Sequence, residues 1–474
     1  MSSLPPAADT STASTRTAPA ATSGAQTHEP PATGRGLAMT AILLAVSLAS
    51  LDTAICNTAL PQMAIDLNTT PSASVWIVNA YQLAMVATLL PFASLGERVG
   101  HKRVFMAGVA VFLMSSVLCA LSPSLGFLAG ARVLQGVGAA AVMSVNIALI
   151  RFLYPPHQLG RGVGLNALIV GISFAIGPTI ASLVLSVGNW PWLFLINVPT
   201  GLLALAFGRR NLPDTPRSEH KPDMVAALLN VVTFSLLIFA LGQSPQQADW
   251  RLTLACFAGA VLCGWALIRR ERGHLAPMLP VDLLRLPAFA LSTVTAICAF
   301  ATQGLGLVSL PFYFENVLHR SPIETGFLMT PWPFFVAAIA PVAGRLSDRY
   351  PAGALGAIGL AMLSAGMTLL ALMPAHAEVW DISWRMALCG LGFGFFQSPN
   401  LKAFMHSAPP ERSGGASGMV GTSRLLGQAT GAALVALAFG LVGTHGSTLA
   451  LAWGAAFSAA GCIASGLRLV RRTA

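Results

Sequence analysis

Asp52 lies in the middle of an uninterrupted apolar run, and it is the only carboxylate of the chain placed well inside one. A charge at membrane depth costs about 3 kcal/mol or more, so such a residue usually faces a wet cavity and marks an ion or proton path. Shielding from water opposes the charged form, which lets a carboxyl group gain and lose a proton. Asp52 is therefore the candidate proton carrier; a structural carboxylate that caps or pairs with a neighbouring helix is the alternative. Arg132 is the matching cation. Counted from the outer ends of their runs, Asp52 lies nine residues in and Arg132 seven, which is ~11–13 Å deep at ~1.5 Å per residue. The two can meet across a cavity. Such a pair would hold Asp52 ionised, and protonation would free Arg132 and so link a proton to a conformational change. A static structural role for Arg132 stays open.

Other residues suggest moving parts. Glu97, Arg98 and Gly100 form one short loop, and Asp348 and Arg349 end a second of similar make-up. Acid–base pairs at the ends of two related helices could latch in one orientation and part in the other; anchoring the chain's topology is the plainer role for such basic loops. Gly171, Gly177 and Pro178 lie within one run, where small residues permit close helix packing and proline permits a bend. Asn57, Tyr81, Gln82, Gln135, Asn146, Gln303, Gln397 and Asn400 are polar at membrane depth, and Phe312 and Trp332 are aromatic. Some of these should line a cavity for apolar, cationic substrates, while most individual aromatics serve packing or interface anchoring.

The elements that must position these residues follow from composition. Hydrophobic residues make up 55% of the 474 and charged residues only 9%, against about 25% charged in a soluble chain. Long apolar stretches recur, and no alternating short strands suggest a barrel. Of the 27 Lys and Arg, Arg251, Arg320 and Arg385 fall on one face and Arg132 and Arg424 inside helices. The rest, including Lys102, Arg209, Arg269, Arg412 and Arg471, lie in the tails or alternate loops. That asymmetry is the positive-inside pattern, so the net charge of +10 reflects topology rather than nucleic-acid binding. The seven cysteines all fall in apolar segments, with no CxxC and no clustered His, so neither a disulfide framework nor a metal site is expected.

A hydrocarbon core of roughly 30 Å needs about 17–25 residues per helix. Runs of that order occur near 38–61, 74–95, 104–121, 125–150, 162–186, 192–208, 224–242, 252–268, 288–314, 324–344, 354–374, 383–404, 415–442 and 447–468, fourteen in all. The chain is expected to be an all-α integral membrane protein with both termini cytoplasmic. Internal similarity organises it further. Gly136-x-Gly138 with Ser144-x-Asn146 returns as Gly390-x-Gly392 with Ser398-x-Asn400, offset by 254; Leu60-Pro61 returns as Leu310-Pro311, offset by 250. The expected organisation is a disordered cytoplasmic tail (1–36), a six-helix half (37–208), a linker with two extra transmembrane helices (209–287), a second six-helix half (288–468) and a short cytoplasmic tail (469–474).

No Walker A, GxSxG or HExxH motif occurs, and no soluble domain is large enough to hold one, so neither an enzyme nor a nucleotide-driven pump is expected. The chain resembles the major facilitator superfamily, and within it the fourteen-helix drug:proton antiporters, over roughly residues 38–468. Leu51–Pro61 is similar to that family's Asp-bearing motif, Ala93–Arg103 to the superfamily's loop between helices two and three, and Arg132–Gly138 to the fourth-helix motif implicated in proton transfer. Gly171–Pro178 resembles the antiporter motif, and Trp190–Gly201 a signature of the fourteen-helix group. Departures include Ala93 and Glu97 for the usual Gly and Asp, Ala181-Ser182 for two glycines, and Trp190-Pro191-Trp192 without the common central Arg.

The resemblance implies alternating access in the major facilitator fold, with two six-helix halves plus two inserted helices. It implies a monomer in a bacterial inner membrane that uses no cofactor. A proton gradient would drive export of small amphipathic or cationic compounds. Transport of one specific metabolite, or a non-transporting sensor, are the alternatives.

Overall fold

The computed structural model describes residues 32–155, 158–215, 217, 223–242, 250–271, 282–374, 376–409 and 412–470. The first helices are α1 (Ala32–Asp66), α2 (Pro71–Ser74), α3 (Trp76–Val99), α4 (His101–Ala120), α5 (Leu125–Leu153), α6 (Leu159–Val187), α7 (Pro191–Leu195) and α8 (Asn197–Asn211). A pair follows, α9 (Met224–Gly242) and α10 (Trp250–Glu271). The chain continues through α11 (Pro287–Phe312), α12 (Pro322–Met329), α13 (Pro331–Leu346), α14 (Ala352–Ala371), α15 (Val379–Ser407), α16 (Ser413–Val442) and α17 (Gly446–Val470). Thirteen spans of the described residues are long and apolar enough to cross a membrane, with α2–α3, α7–α8 and α12–α13 each merging into one. The fourteenth is α15, 29 residues long, whose hydropathy is diluted by Asp381, Arg385, Gln397, Asn400 and Lys402. It packs against α13 and α14 as part of the bundle.

Three boundaries differ from expectation, one of them at the C-terminal end, where residues 469–470, assigned above to the tail, belong to α17. Residues 32–36, assigned above to the tail, already belong to α1 in spite of Gly34 and Gly36; residues 1–31 lie outside the described residues, as do 471–474. Beyond Phe312, a π-helical turn over Tyr313–Val317 continues the span and carries Glu315 into it.

The repeated sequence features recur as repeated contacts. A methyl group on Gly136 would collide with the Tyr81 carbonyl of α3, and one on Gly390 with the Trp332 carbonyl of α13. Gly138 faces Gly108 and Phe112 of α4 just as Gly392 faces Gly359 and Leu363 of α14. These glycines let backbones approach where any side chain would hold them apart. Prolines repeat too: Pro61 and Pro311 lie inside α1 and α11, Pro91 and Pro341 inside α3 and α13, and Pro71 and Pro322 open α2 and α12.

Leu228, Val261, Trp265 and Phe327 are more than half exposed, an apolar surface that only lipid solvates without penalty. The pair α9–α10 sits at the periphery. α9 packs on both α3 and α16, and α10 packs chiefly on α9. Asn230 of α9 donates to the Ala87 carbonyl at 2.9 Å, and Phe239 stacks against Trp76 at 5.7 Å.

Candidate functional site

Asp52 lies in mid-α1, 2% exposed, and Arg132 lies two turns into α5, fully buried. Arg132 Nη1 donates to Asp52 Oδ2 at 2.5 Å. The other carboxylate oxygen, Oδ1, accepts from Gln135 Nε2 at 2.9 Å and from Asn197 Nδ2, at the start of α8, at 3.1 Å. Ser116 of α4 receives Gln135 Nε2 at 2.9 Å. Arg132 is held in turn by the Ile77 carbonyl (Nε, 3.0 Å) and Gln135 Oε1 (Nη1, 2.6 Å), and its guanidinium lies 4.2 Å from the centre of the Tyr81 ring and 5.7 Å from that of Phe194.

This arrangement corrects the expectation that Asp52 faces a wet cavity. The cost of a buried charge is met by an opposite charge and hydrogen-bond donors instead of water. It also alters the fate of Arg132: without Asp52 it keeps Ile77, Gln135 and two aromatic faces, so it is not freed. Asn197 and Ser116 are functional candidates that the sequence reading passed over. Their signal was faint: a lone Asn opening a helix and a hydroxyl in an apolar run.

Beside the network, a narrow cleft of about 30 Å³, room for a single water, lies between α1, α3, α5 and α6 on one side and α16 on the other. Tyr81 separates it from Arg132, with its hydroxyl donating to the Ala49 carbonyl at 3.2 Å. Of the polar and aromatic candidates, Tyr81 and Gln82 line this cleft, together with Thr53 and Arg424. Gln303 reaches it through Gln428, which donates to Gln303 Oε1 at 2.9 Å.

The remaining candidates are spent elsewhere. Asn146 contacts Asn166 at 3.4 Å, Asn400 accepts from Arg468 at 2.9 Å, and Phe312 meets Phe439 edge-on at 5.0 Å. Asn57 and Trp332 are buried in the bundle, and Gln397 is exposed and absent from the cleft wall. Packing of the particular helix face decides these placements, and residue type alone does not reveal it.

In α6, Gly177 packs on Ala54 of α1, two residues from Asp52, and the Pro178 carbonyl approaches Gly326 of α12. Gly171 has no atom within 4 Å of where a Cβ would stand, so close packing does not account for it. Four side-chain hydrogen bonds join α1–α8 to α11–α17 among the described residues. They are Gln62 to Glu315 (3.0 Å), Ser72 to the Ala436 carbonyl (2.9 Å), Thr179 with Thr330 (2.9 Å) and Ser182 to the Pro322 carbonyl (3.0 Å). All four cluster at the end of the bundle where α1 and α6 finish.

At the opposite end, Glu97, Arg98, Asp348 and Arg349 are exposed and Gly100, with φ 101°, makes the turn. Among the described residues no ion pair joins the two loops. Asp348 instead takes the Lys402 ammonium at 2.6 Å, a hydrogen bond that holds its carboxyl below the usual carboxylate range. No group of three or more His, Cys, Asp or Glu among the described residues is arranged to hold a metal ion.

Comparison with known proteins agrees with this architecture. The family model described as Major Facilitator Superfamily matches residues 42–432. The chain is 50% identical over 436 residues to the uncharacterized transporter YebQ of Escherichia coli (strain K12), covering 92% of this chain and 95% of that one. It is 30% identical to the riboflavin transporter RibZ of Clostridioides difficile (strain 630), covering 83% and 85%. It is also 30% identical to the methylenomycin A resistance protein of Streptomyces coelicolor, covering 87% and 88%.

Proposed function

The chain belongs to the Major Facilitator Superfamily, a family of transporters rather than enzymes, and from that premise we propose that it is a proton-coupled exporter of small amphipathic compounds working by alternating access. The observation that carries this reading is the Asp52 network. A carboxylate that is shielded from water and held by Arg132, Gln135 and Asn197 ties α1 to α5 and α8. Protonation cancels its attraction for Arg132 and turns an acceptor into a donor. Because Arg132 keeps its other partners, the element released is α1, whose Ser50 and Thr53 border the cleft and whose outer end bonds Glu315. Occupancy of the proton site is thereby passed to the surface that substrate touches.

Orientation completes the reading: the basic loops carrying Arg98 and Arg349 face the cytoplasm. The hydrogen-bonded end is then the closed outer gate, and at the inner end no ion pair among the described residues joins the loop of Arg98 to that of Arg349. Export follows when the loops close and the outer bonds part.

Proteoliposomes with an imposed proton gradient test this. Wild-type protein should concentrate an amphipathic dye against its gradient and move protons the other way, and Asp52→Asn should lose that dependence. Full gradient-driven flux in Asp52→Asn would remove the carboxylate from the mechanism.

A second reading, transport of one compound, is favoured by the two 30% relatives, each named for a single molecule. Competition by chemically unrelated dyes separates the two: mutual inhibition fits broad export, and indifference fits one cargo.

A further inference from the structure

Arg424 stands on α16, eleven residues from its start, which is ~16 Å at ~1.5 Å per residue and so near the middle of a bilayer. It lines the cleft and, among the described residues, makes no hydrogen bond and no ion pair. A cation left without a counter-charge at this depth is costly, and proteins retain such groups where a ligand supplies the missing charge. No carboxylate lines the cleft. The nearest one described above, Asp52, is turned away behind Tyr81 and already neutralised by Arg132.

We propose that the cleft binds the anionic group of an amphipathic organic acid, with Arg424 as its counter-ion. This deepens the transport reading above and rests on it. One guanidinium offers a planar fork that suits one carboxylate, and a single positive charge balances a monoanion rather than a phosphate dianion. Gln82, whose Oε1 has no partner, can turn its amide towards the same group. Met85, Met143, Phe174 and Leu425 complete an apolar wall; at about 30 Å³ the cleft is closed down in this state, and it admits the ligand's apolar body when α16 moves away from α1 and α3 in the transport cycle. The sign is opposite to the lipophilic cations that the sequence resemblance implied, because a cationic ligand would meet Arg424 with like charge.

The test uses purified full-length protein in lipid nanodiscs with a matched series of aryl monocarboxylates and aryl ammonium ions, including the monoanionic dye 7-diethylaminocoumarin-3-carboxylate and the cationic dye rhodamine 6G. Binding is read by fluorescence and thermal shift. Carboxylates should bind wild-type protein at least ~10-fold more tightly than the matched ammonium ions, a difference of about 1.4 kcal/mol. Arg424→Gln should abolish that preference and Arg424→Lys should keep part of it. The comparison within wild-type protein stands even where Arg424→Gln fails to fold.

Equal or tighter binding of the ammonium series, no binding by any carboxylate, or an unchanged preference in folded Arg424→Gln would overturn the proposal. Gradient-driven flux in proteoliposomes separates this from the wider reading. Proton-driven movement of rhodamine 6G without anion preference would sink the charge assignment and leave export standing. Arg424-dependent carboxylate binding with no gradient-driven flux would do the reverse.

Discussion

Asp52 accepts from three side chains on two helices, so its replacements separate charge from packing. Asp52→Ala leaves Arg132 buried without a counter-charge and should destabilise the protein by about 3–5 kcal/mol, seen as a lowered melting temperature in detergent. The double variant Asp52→Ala/Arg132→Leu should recover much of that stability while remaining inactive; a double variant no more stable than the single would deny the pair. Tyr81→Phe keeps the ring under Arg132 and should be mild, whereas Tyr81→Leu should cost a further ~0.5–2 kcal/mol of cation–π interaction. Both charges were legible in the sequence because an ion in an apolar run is conspicuous. Asn197 and Ser116 were not, since an amide or hydroxyl in such a run is common and only the rotation of its helix decides what it meets. Arg424 was visible as a cation inside a helix, but that it faced a cleft without a partner could only be seen in three dimensions.

At the level of elements, the repeat was readable as glycine and proline spacing, because close helix crossings need small residues at fixed places. Where each helix starts and bends was less so. The sequence reading ended a helix before Glu315, whereas the π-helical turn carries that carboxylate onward to Gln62. Gly136→Ala should force α5 off α3 at the Tyr81 carbonyl, costing about 1–3 kcal/mol, while Gly171→Ala, with open space around it, should melt as wild type does. Equal melting of the two variants would contradict the crossing. The Asp348–Lys402 contact gives a pH prediction of defined sign. The folded-state pKa of Asp348 is depressed, so the stabilisation from this pair is complete above the ordinary carboxylate value of about 4. It is lost only as pH falls through the depressed value. Asp348→Asn should therefore leave the pH midpoint of transport unmoved between about pH 5.5 and 8, and a shifted midpoint would implicate this loop in proton sensing.

For the molecule as a whole, the hydrogen bonds between α1–α8 and α11–α17 gather at one end, so locking that end should stop the cycle. A Gln62→Cys/Glu315→Cys pair should cross-link under mild oxidation and halt flux, and a reductant should restore it. Cross-linked protein that still transports would show that this end need not part. Apolar run length made the spans legible, α15 least so because of its charged and amide residues, but the lateral position of the added pair was not, because apolar helices carry little record of which neighbours they choose. α9 lies over the seam where α3 meets α16, and Phe234 and Ile238 are buried in a cluster with Leu425 and Ala429. A bilayer-dissolved molecule drifting towards the cleft on that flank meets a plank nailed over the doorway. The flank between α6 and α13 carries no such plank among the described residues, so the two seams between the repeats meet the surrounding lipid differently even though the repeats themselves are alike.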